Sequence, residues 1–196
     1  SIKGSTRVID SLATLSFDYP RRSKFFKIQL ENFLLLSREE NFDPLEVNGS
    51  YAGAMGFGQF LPESYRRLAI DFDEDGIRDI INNPADAIGS VANYLMKNGW
   101  QKGSNIAVEA NLINKENPIS TIWKMKKNEY LELEPKNKVE FDDLKSETYL
   151  QVAVSDDSYW IGGNNLKVLS RYNKSSFYVI AVFLLSKELA FFLNEV

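Results

Sequence analysis

The sequence contains neither cysteine nor histidine. Without cysteine there is no disulfide, no thiolate metal site and no lipid-bearing cysteine within these residues. Without histidine there is no imidazole base or ligand, so acid–base chemistry falls to carboxylates, tyrosines or lysines. An excess of positive charge is missing too. Lys and Arg number 23 against 27 Asp and Glu, for a net charge of −4, which argues against a nucleic-acid partner. The longest apolar run, Phe177–Leu185, falls short of the roughly 20 residues a membrane-spanning helix needs. No apolar run in Ser1–Ser5 reads as a signal peptide, so the expectation is a chain without a transmembrane segment.

What is present suits a globular protein with a sizeable core: 196 residues, 44% hydrophobic and 26% charged. Val8, Ile9, Leu12 and Leu15 recur at helical spacing over about Thr6–Ser16, and Pro20 closes that segment. A second helix over Ser23–Glu40 carries Phe26, Leu30, Phe33 and Leu34 on one face, widened by Phe25, Ile28 and Leu36. Asn41–Ser50 reads as a loop, and Pro62 suits the first turn of a short helix, PESYRRLAI. Asn82 or Asn83 can cap a helix beginning at Pro84, with Ile88, Val91, Ala92 and Leu95 expected on its inner face and Gly99 at its left-handed end.

The pattern then changes. IAVEA, TIWKM, YLQVAV and SYWIG are short runs with β-branched and aromatic residues, separated by polar segments. The expected fold class is α+β, mainly α: a helical core over residues 1–103, a small inserted antiparallel β lobe over 104–165, and a return to the core over 166–196. The final helix, about Ser175–Leu193, is apolar almost all round and is expected at the centre of the core.

Two stretches invite a chemical reading. Gly49, Gly53, Gly56 and Gly58 fall within ten residues and end at Gln59, which suits a tight turn or a close approach to a ligand. No Gly-Lys-Ser/Thr follows, so this is not a phosphate loop. Further on, Asp71, Asp73, Asp75, Gly76 and Asp79 match positions 1, 3, 5, 6 and 9 of a calcium-binding loop (71–82), with Ile77 offering its carbonyl. Asn82 stands where such a loop carries its bidentate glutamate, which predicts a weaker site. The alternative is an acidic turn that caps the next helix.

SYAGAMGFGQFLPESY, the DxDxDG loop and NPADAIGSVANYL resemble the catalytic core of the MltB-type (family 3) lytic transglycosylases, which cleave peptidoglycan. TRVIDSLATLSFDYPRR near the start and RYNKSSFYVIAV near the end continue the resemblance, which is weakest over about 104–165. It implies a lysozyme-like helical core. It also implies a single glutamic acid of raised pKa that protonates the glycosidic oxygen between N-acetylmuramic acid and N-acetylglucosamine. That residue then serves as base toward the muramic acid 6-hydroxyl, giving a 1,6-anhydro product without water.

By the same resemblance Ser50 hydrogen-bonds the catalytic carboxylate, Gln59 offers its amide to the sugar, Tyr94 points to the cleft, and Tyr172, Asn173 and Tyr178 form the opposite wall. On the residues alone, the tyrosines equally suit core packing. The family's glutamate lies in an E-T-x-x-G segment, expected about five residues upstream of Ser1, so residues 1–196 are expected to lack the catalytic acid. No cofactor is implied for the chemistry; a structural calcium ion is implied at the acidic loop.

Peptidoglycan glycan strands are the implied partner, with a companion N-terminal fragment or self-association covering apolar surface. The implied location is the periplasm, anchored at the outer membrane in the full-length protein. A non-catalytic peptidoglycan-binding or scaffolding module and a calcium-dependent structural domain are the alternatives.

Overall fold

A computed structural model describes residues 3–113, 123–126 and 132–194. The chain divides into two compact units, Ser1–Lys97 and Asn98–Val196.

The first unit is helical. A two-residue strand, β1 (Thr6–Arg7), pairs antiparallel with β2 (Asn48–Gly49) and leads directly into α1 (Val8–Phe17). A short 3-10 turn at Pro20–Arg22 separates α1 from α2 (Ser23–Glu39), which is followed by α3 (Pro62–Leu68) and α4 (Pro84–Lys97). Val8, Leu12, Phe26, Phe33 and Leu36 are buried, as the helical spacing requires. Ile28 and Leu34, read as part of the buried face of α2, are 44% and 43% exposed. Gln29 is buried in that face instead. Its amide donates to Glu63 Oε2 (3.2 Å) and accepts from the Glu63 N–H (3.1 Å), which seats the start of α3. Arg66 on α3 forks onto Glu39 at the end of α2, and those hydrogen bonds hold the Glu39 carboxyl below its usual range.

Helix α4 corrects the sequence reading. Its buried residues are Asp86, Ala87, Gly89 and Ser90, while Ile88 is 70% exposed. The inner stripe is polar because it serves irregular backbone. Asp86 accepts from the N–H of Phe72 and of Asp79, both at 2.7 Å; Ser90 Oγ accepts from Ile70 N at 2.9 Å; and Asn93 Nδ2 donates to Leu68 O at 2.8 Å. Buried backbone groups must find partners, and residues 68–79 make few of their own. Asn83 supplies the cap at the start of α4, accepting from Ala85 N at 2.9 Å, and Gly99 follows the helix at φ +93°.

The second unit holds a five-stranded antiparallel sheet. Its strands are β3 (Ala107–Leu112), β4 (Trp123–Lys126), β5 (Leu133–Pro135), β6 (Thr148–Ser155) and β7 (Ser158–Gly162), in the order β4-β6-β7-β3-β5. Thr121 and Ile122 of the expected TIWKM run lie outside the described residues. Val108, Leu133, Tyr149, Tyr159 and Ile161 form the core of this unit, with Leu144 from the segment after α5 (Lys138–Asp142). Two helices complete it, α6 (Asn164–Tyr172) and α7 (Ser176–Asn194). Residues 166–196, which the sequence assigns to the helical core, therefore fall in the unit that holds the sheet.

Helix α7 also departs from expectation. Val179, Ile180 and Phe183 are buried, whereas Leu185, Leu189, Phe191, Phe192 and Leu193 are all more than half exposed. By length and composition alone, Ser176–Leu193 is also apolar enough to cross a membrane, with a mean hydropathy of 1.8. The sequence reading stopped at Leu185, where Ser186, Lys187 and Glu188 interrupt the apolar run.

Candidate functional site

The glycine-rich stretch folds into two consecutive braced turns. In the first, Ser50 N donates to Ala54 O and Gly53 N to Ser50 O, each at 2.9 Å. Ser50 Oγ accepts from the N–H of Ala52 (3.3 Å) and of Ala54 (3.1 Å). In the second, Met55 and Phe60 exchange backbone hydrogen bonds as an isolated bridge. Gly56 sits between them at φ +70°, where a Cβ would also stand 2.3 Å from Ile80 O. Met55 and Phe60 are buried, so the turns are anchored from below.

Ser50 and Gln59 are brought together by residues far away in sequence. Gly4 lies so close to the turn that a Cβ there would stand 2.0 Å from Gly49 O and 2.5 Å from Ser50 N. Its neighbour Lys3 accepts from Gln59 Nε2 through its carbonyl, at 3.2 Å. Successive Cα atoms are about 3.8 Å apart, so one step of backbone separates the contact with Ser50 from the contact with Gln59.

Gln59 is held unusually firmly. It occupies φ +51°, a region that side chains other than glycine seldom adopt, and its Nε2 also donates to Gly56 O at 2.9 Å. Both amide hydrogens are thus committed to carbonyls, and Oε1 is left to accept from a ligand N–H or O–H. Tyr94, half-buried on α4, packs its ring 5.9 Å from that of Phe60, beside Gln59 in sequence. Ser50, Gln59 and Tyr94 therefore belong to the first unit.

Tyr172, Asn173 and Tyr178 belong to the second. The two tyrosine rings lie parallel within 2°, with centroids 6.3 Å apart, across the junction of α6 and α7. Asn173 between them accepts from Ser175 N at 3.0 Å. Burial raises the Tyr178 phenol above its usual range.

At the acidic loop, Asp71 and Asp73 converge with Asp86, each offering an oxygen within 4.8 Å of the others. Asp75 and Asp79 stand outside that convergence and accept from backbone donors, as Asp71 also does from the N–H of Asp75 and Gly76. Asp75 Oδ1 accepts from Ile77 N, and Asp79 Oδ1 from the N–H of Ile81 and Asn82. The donor set fits a hard cation. It is all oxygen, and ligands at about 2.3–2.6 Å from a shared calcium can lie as far apart as these do. Asp71, Asp73 and Asp86 would hold such an ion, which would offset the repulsion of three carboxylates. Asp86 escaped the sequence reading because the calcium-loop pattern ends at Asn82. Its signal was an acidic residue in the first turn of α4, beside Pro84.

Residues 1–187 match the transglycosylase SLT domain, and the chain belongs to that family. It is 42% identical over 191 residues, 96% of its length, to the membrane-bound lytic murein transglycosylase B of Escherichia coli, of which it spans 52%. Among solved structures it resembles the E. coli lytic transglycosylase Slt35. In complex with bulgecin A, that structure matches at a TM-score of 0.83 and 40% identity over 97% of this chain and 60% of the other. In complex with calcium it matches at 0.79 and 41%, over 97% and 61%. SltB3 of Pseudomonas aeruginosa in complex with NAG-NAM-pentapeptide matches at 0.72 and 28%, over 96% and 52%. The chain thus spans between half and about three fifths of the length of these relatives.

Proposed function

We propose that the chain is the core of a peptidoglycan lytic transglycosylase, breaking the β-1,4 bond between N-acetylmuramic acid and N-acetylglucosamine to leave a 1,6-anhydro end. The observation that carries this reading is the pinning of Ser50 and Gln59 around Lys3–Gly4, in a chain that matches the family over residues 1–187. Ser50 Oγ accepts two backbone N–H groups and so has its own proton left to donate. Among the described residues it contacts no carboxylate, and the reading assigns the acid to a glutamate N-terminal to Ser1. That glutamate would protonate the leaving oxygen and then take the proton from the 6-hydroxyl. Gln59 would accept from the sugar through Oε1, and Tyr94, Tyr172, Asn173 and Tyr178 would contact the glycan.

The calcium bound by a solved relative and the convergence of Asp71, Asp73 and Asp86 support a structural calcium ion here. A substrate of this class supports a periplasmic location, and the membrane-bound relative supports anchoring at a membrane, which this reading takes as the outer one.

The test is to digest purified peptidoglycan with residues 1–196 and with a chain extended upstream, then to measure anhydro-muropeptides by mass spectrometry. Product from the extended chain alone is expected. Equal product from both would place the acid within residues 1–196. None from either, with glycan binding retained, would leave a non-catalytic binding module.

A further inference from the structure

Two aromatic side chains stand at the surface of the glycine-rich stretch, and they differ. Phe57, 39% exposed, already carries the Lys3 ammonium 4.0 Å from its ring centre. Tyr51 is 82% exposed, and among the described residues its ring meets no aromatic or cationic partner and its hydroxyl no hydrogen bond. A ring this exposed adds nothing to the core, since Met55 and Phe60 of the same stretch already fill it. Yet the backbone beneath Tyr51 is braced by four hydrogen bonds. The two hydrogen bonds that close the turn and the two accepted by Ser50 Oγ all lie within residues 50–54.

A free ring on a fixed base is the arrangement of a binding platform. The main chain has nothing left to order when a ligand arrives, and only two side-chain torsions remain to be fixed. Tyr51 also adjoins Ser50 in the chain, with the two Cα atoms about 3.8 Å apart.

We propose that Tyr51 is a glycan-contacting residue, stacking its phenol ring on the apolar face of a pyranose next to the bond that is cleaved. This rests on the transglycosylase reading above. The ring supplies a flat apolar surface, and the hydroxyl at its edge can reach a substituent of the same sugar.

The test is binding of a soluble, β-1,4-linked N-acetylglucosamine hexamer, measured by isothermal titration calorimetry on the whole chain. Tyr51→Ala is expected to weaken affinity about tenfold, while Tyr51→Phe and Tyr51→Trp stay within about threefold of the unaltered chain. Thermal melting should be unchanged in all three, because the side chain is 82% exposed. If Tyr51→Ala binds as tightly as the unaltered chain while Gln59→Ala binds more weakly, the assignment of Tyr51 is overturned and the transglycosylase reading stands. If the unaltered chain takes up no glycan, that reading falls and the role of Tyr51 falls with it.

Discussion

Gln59 shows how much a single side chain is asked to do. Its backbone is strained at φ +51°, and its amide tethers Gly56 and Lys3 at once, so ligand recognition and local stability draw on the same group. Gln59→Glu keeps the shape but replaces the donating nitrogen with an oxygen that faces two carbonyls. Gln59 is exposed, so water can replace part of the loss and the cost is about 1 kcal/mol. The expected outcome in urea unfolding is a loss of that size at pH 7, with partial recovery near pH 4 as the new carboxyl takes up a proton and can donate again. Gln59→Gly should relieve the strain and keep the fold, yet still lose glycan binding. Asp86 is the counterpart at the acidic loop. It is fully buried, and each of its oxygens accepts a backbone N–H. Asp86→Ala takes the shared partner from the Phe72 and Asp79 N–H groups and should cost about 1–3 kcal/mol even without calcium. In the unaltered chain, calcium at a hundred times its dissociation constant should add about 2.7 kcal/mol. Chemical denaturation with and without the ion checks both figures, and Asp86→Ala should abolish the calcium increment.

Among the elements, the helices were legible where apolar spacing decides their burial, as for Val8 and Leu12 on α1 or Phe26 and Phe33 on α2. Four of the five strands were legible as short runs with β-branched and aromatic residues, although the sequence could not pair them; β5, only three residues long, was not. The inner face of α4 was not legible. There the side chains at 86, 90 and 93 serve the backbone of residues 68–79, and hydrogen-bonding a distant loop leaves no apolar periodicity to read. The same blindness hid Asp86 from the metal reading. At the candidate site, Ser50 and Gln59 were legible only through motif, because Lys3 and Gly4 are what bring them together.

Segment 68–79 depends on one more buried group. Tyr65 on α3 donates to Arg78 O at 2.6 Å, and burial raises its phenol well above the ordinary value of about 10. In the folded chain the neutral phenol is favoured, so its contribution to stability is complete below about pH 10. Above that the unfolded chain ionises first, and stability falls as pH rises. Tyr65→Phe should cost about 1–2 kcal/mol at pH 7 through the orphaned carbonyl, and should flatten the alkaline decline. Denaturant midpoints between pH 7 and pH 11 make the comparison.

For the molecule as a whole, the unresolved balance lies at its C-terminal helix. Residues 184–193 of α7 are exposed on every side, with Lys187 and Glu188 the charged side chains among them. Burying an apolar side chain such as leucine or phenylalanine is worth about 1.5–3 kcal/mol, so leaving five of them more than half exposed forgoes several kcal/mol of stabilisation. Isolated exposed leucines are ordinary; a contiguous apolar surface of this extent marks a place where something docks or where chains aggregate. The expectation is a chain that binds a hydrophobic dye while fully folded. Replacing Leu185, Leu189 and Phe192 together with lysine should cut that fluorescence severalfold. The near-ultraviolet circular dichroism and the melting temperature should hardly change, since none of the three is in the core. A fall in melting temperature of more than about 5 °C would mean that these side chains support the folded chain itself.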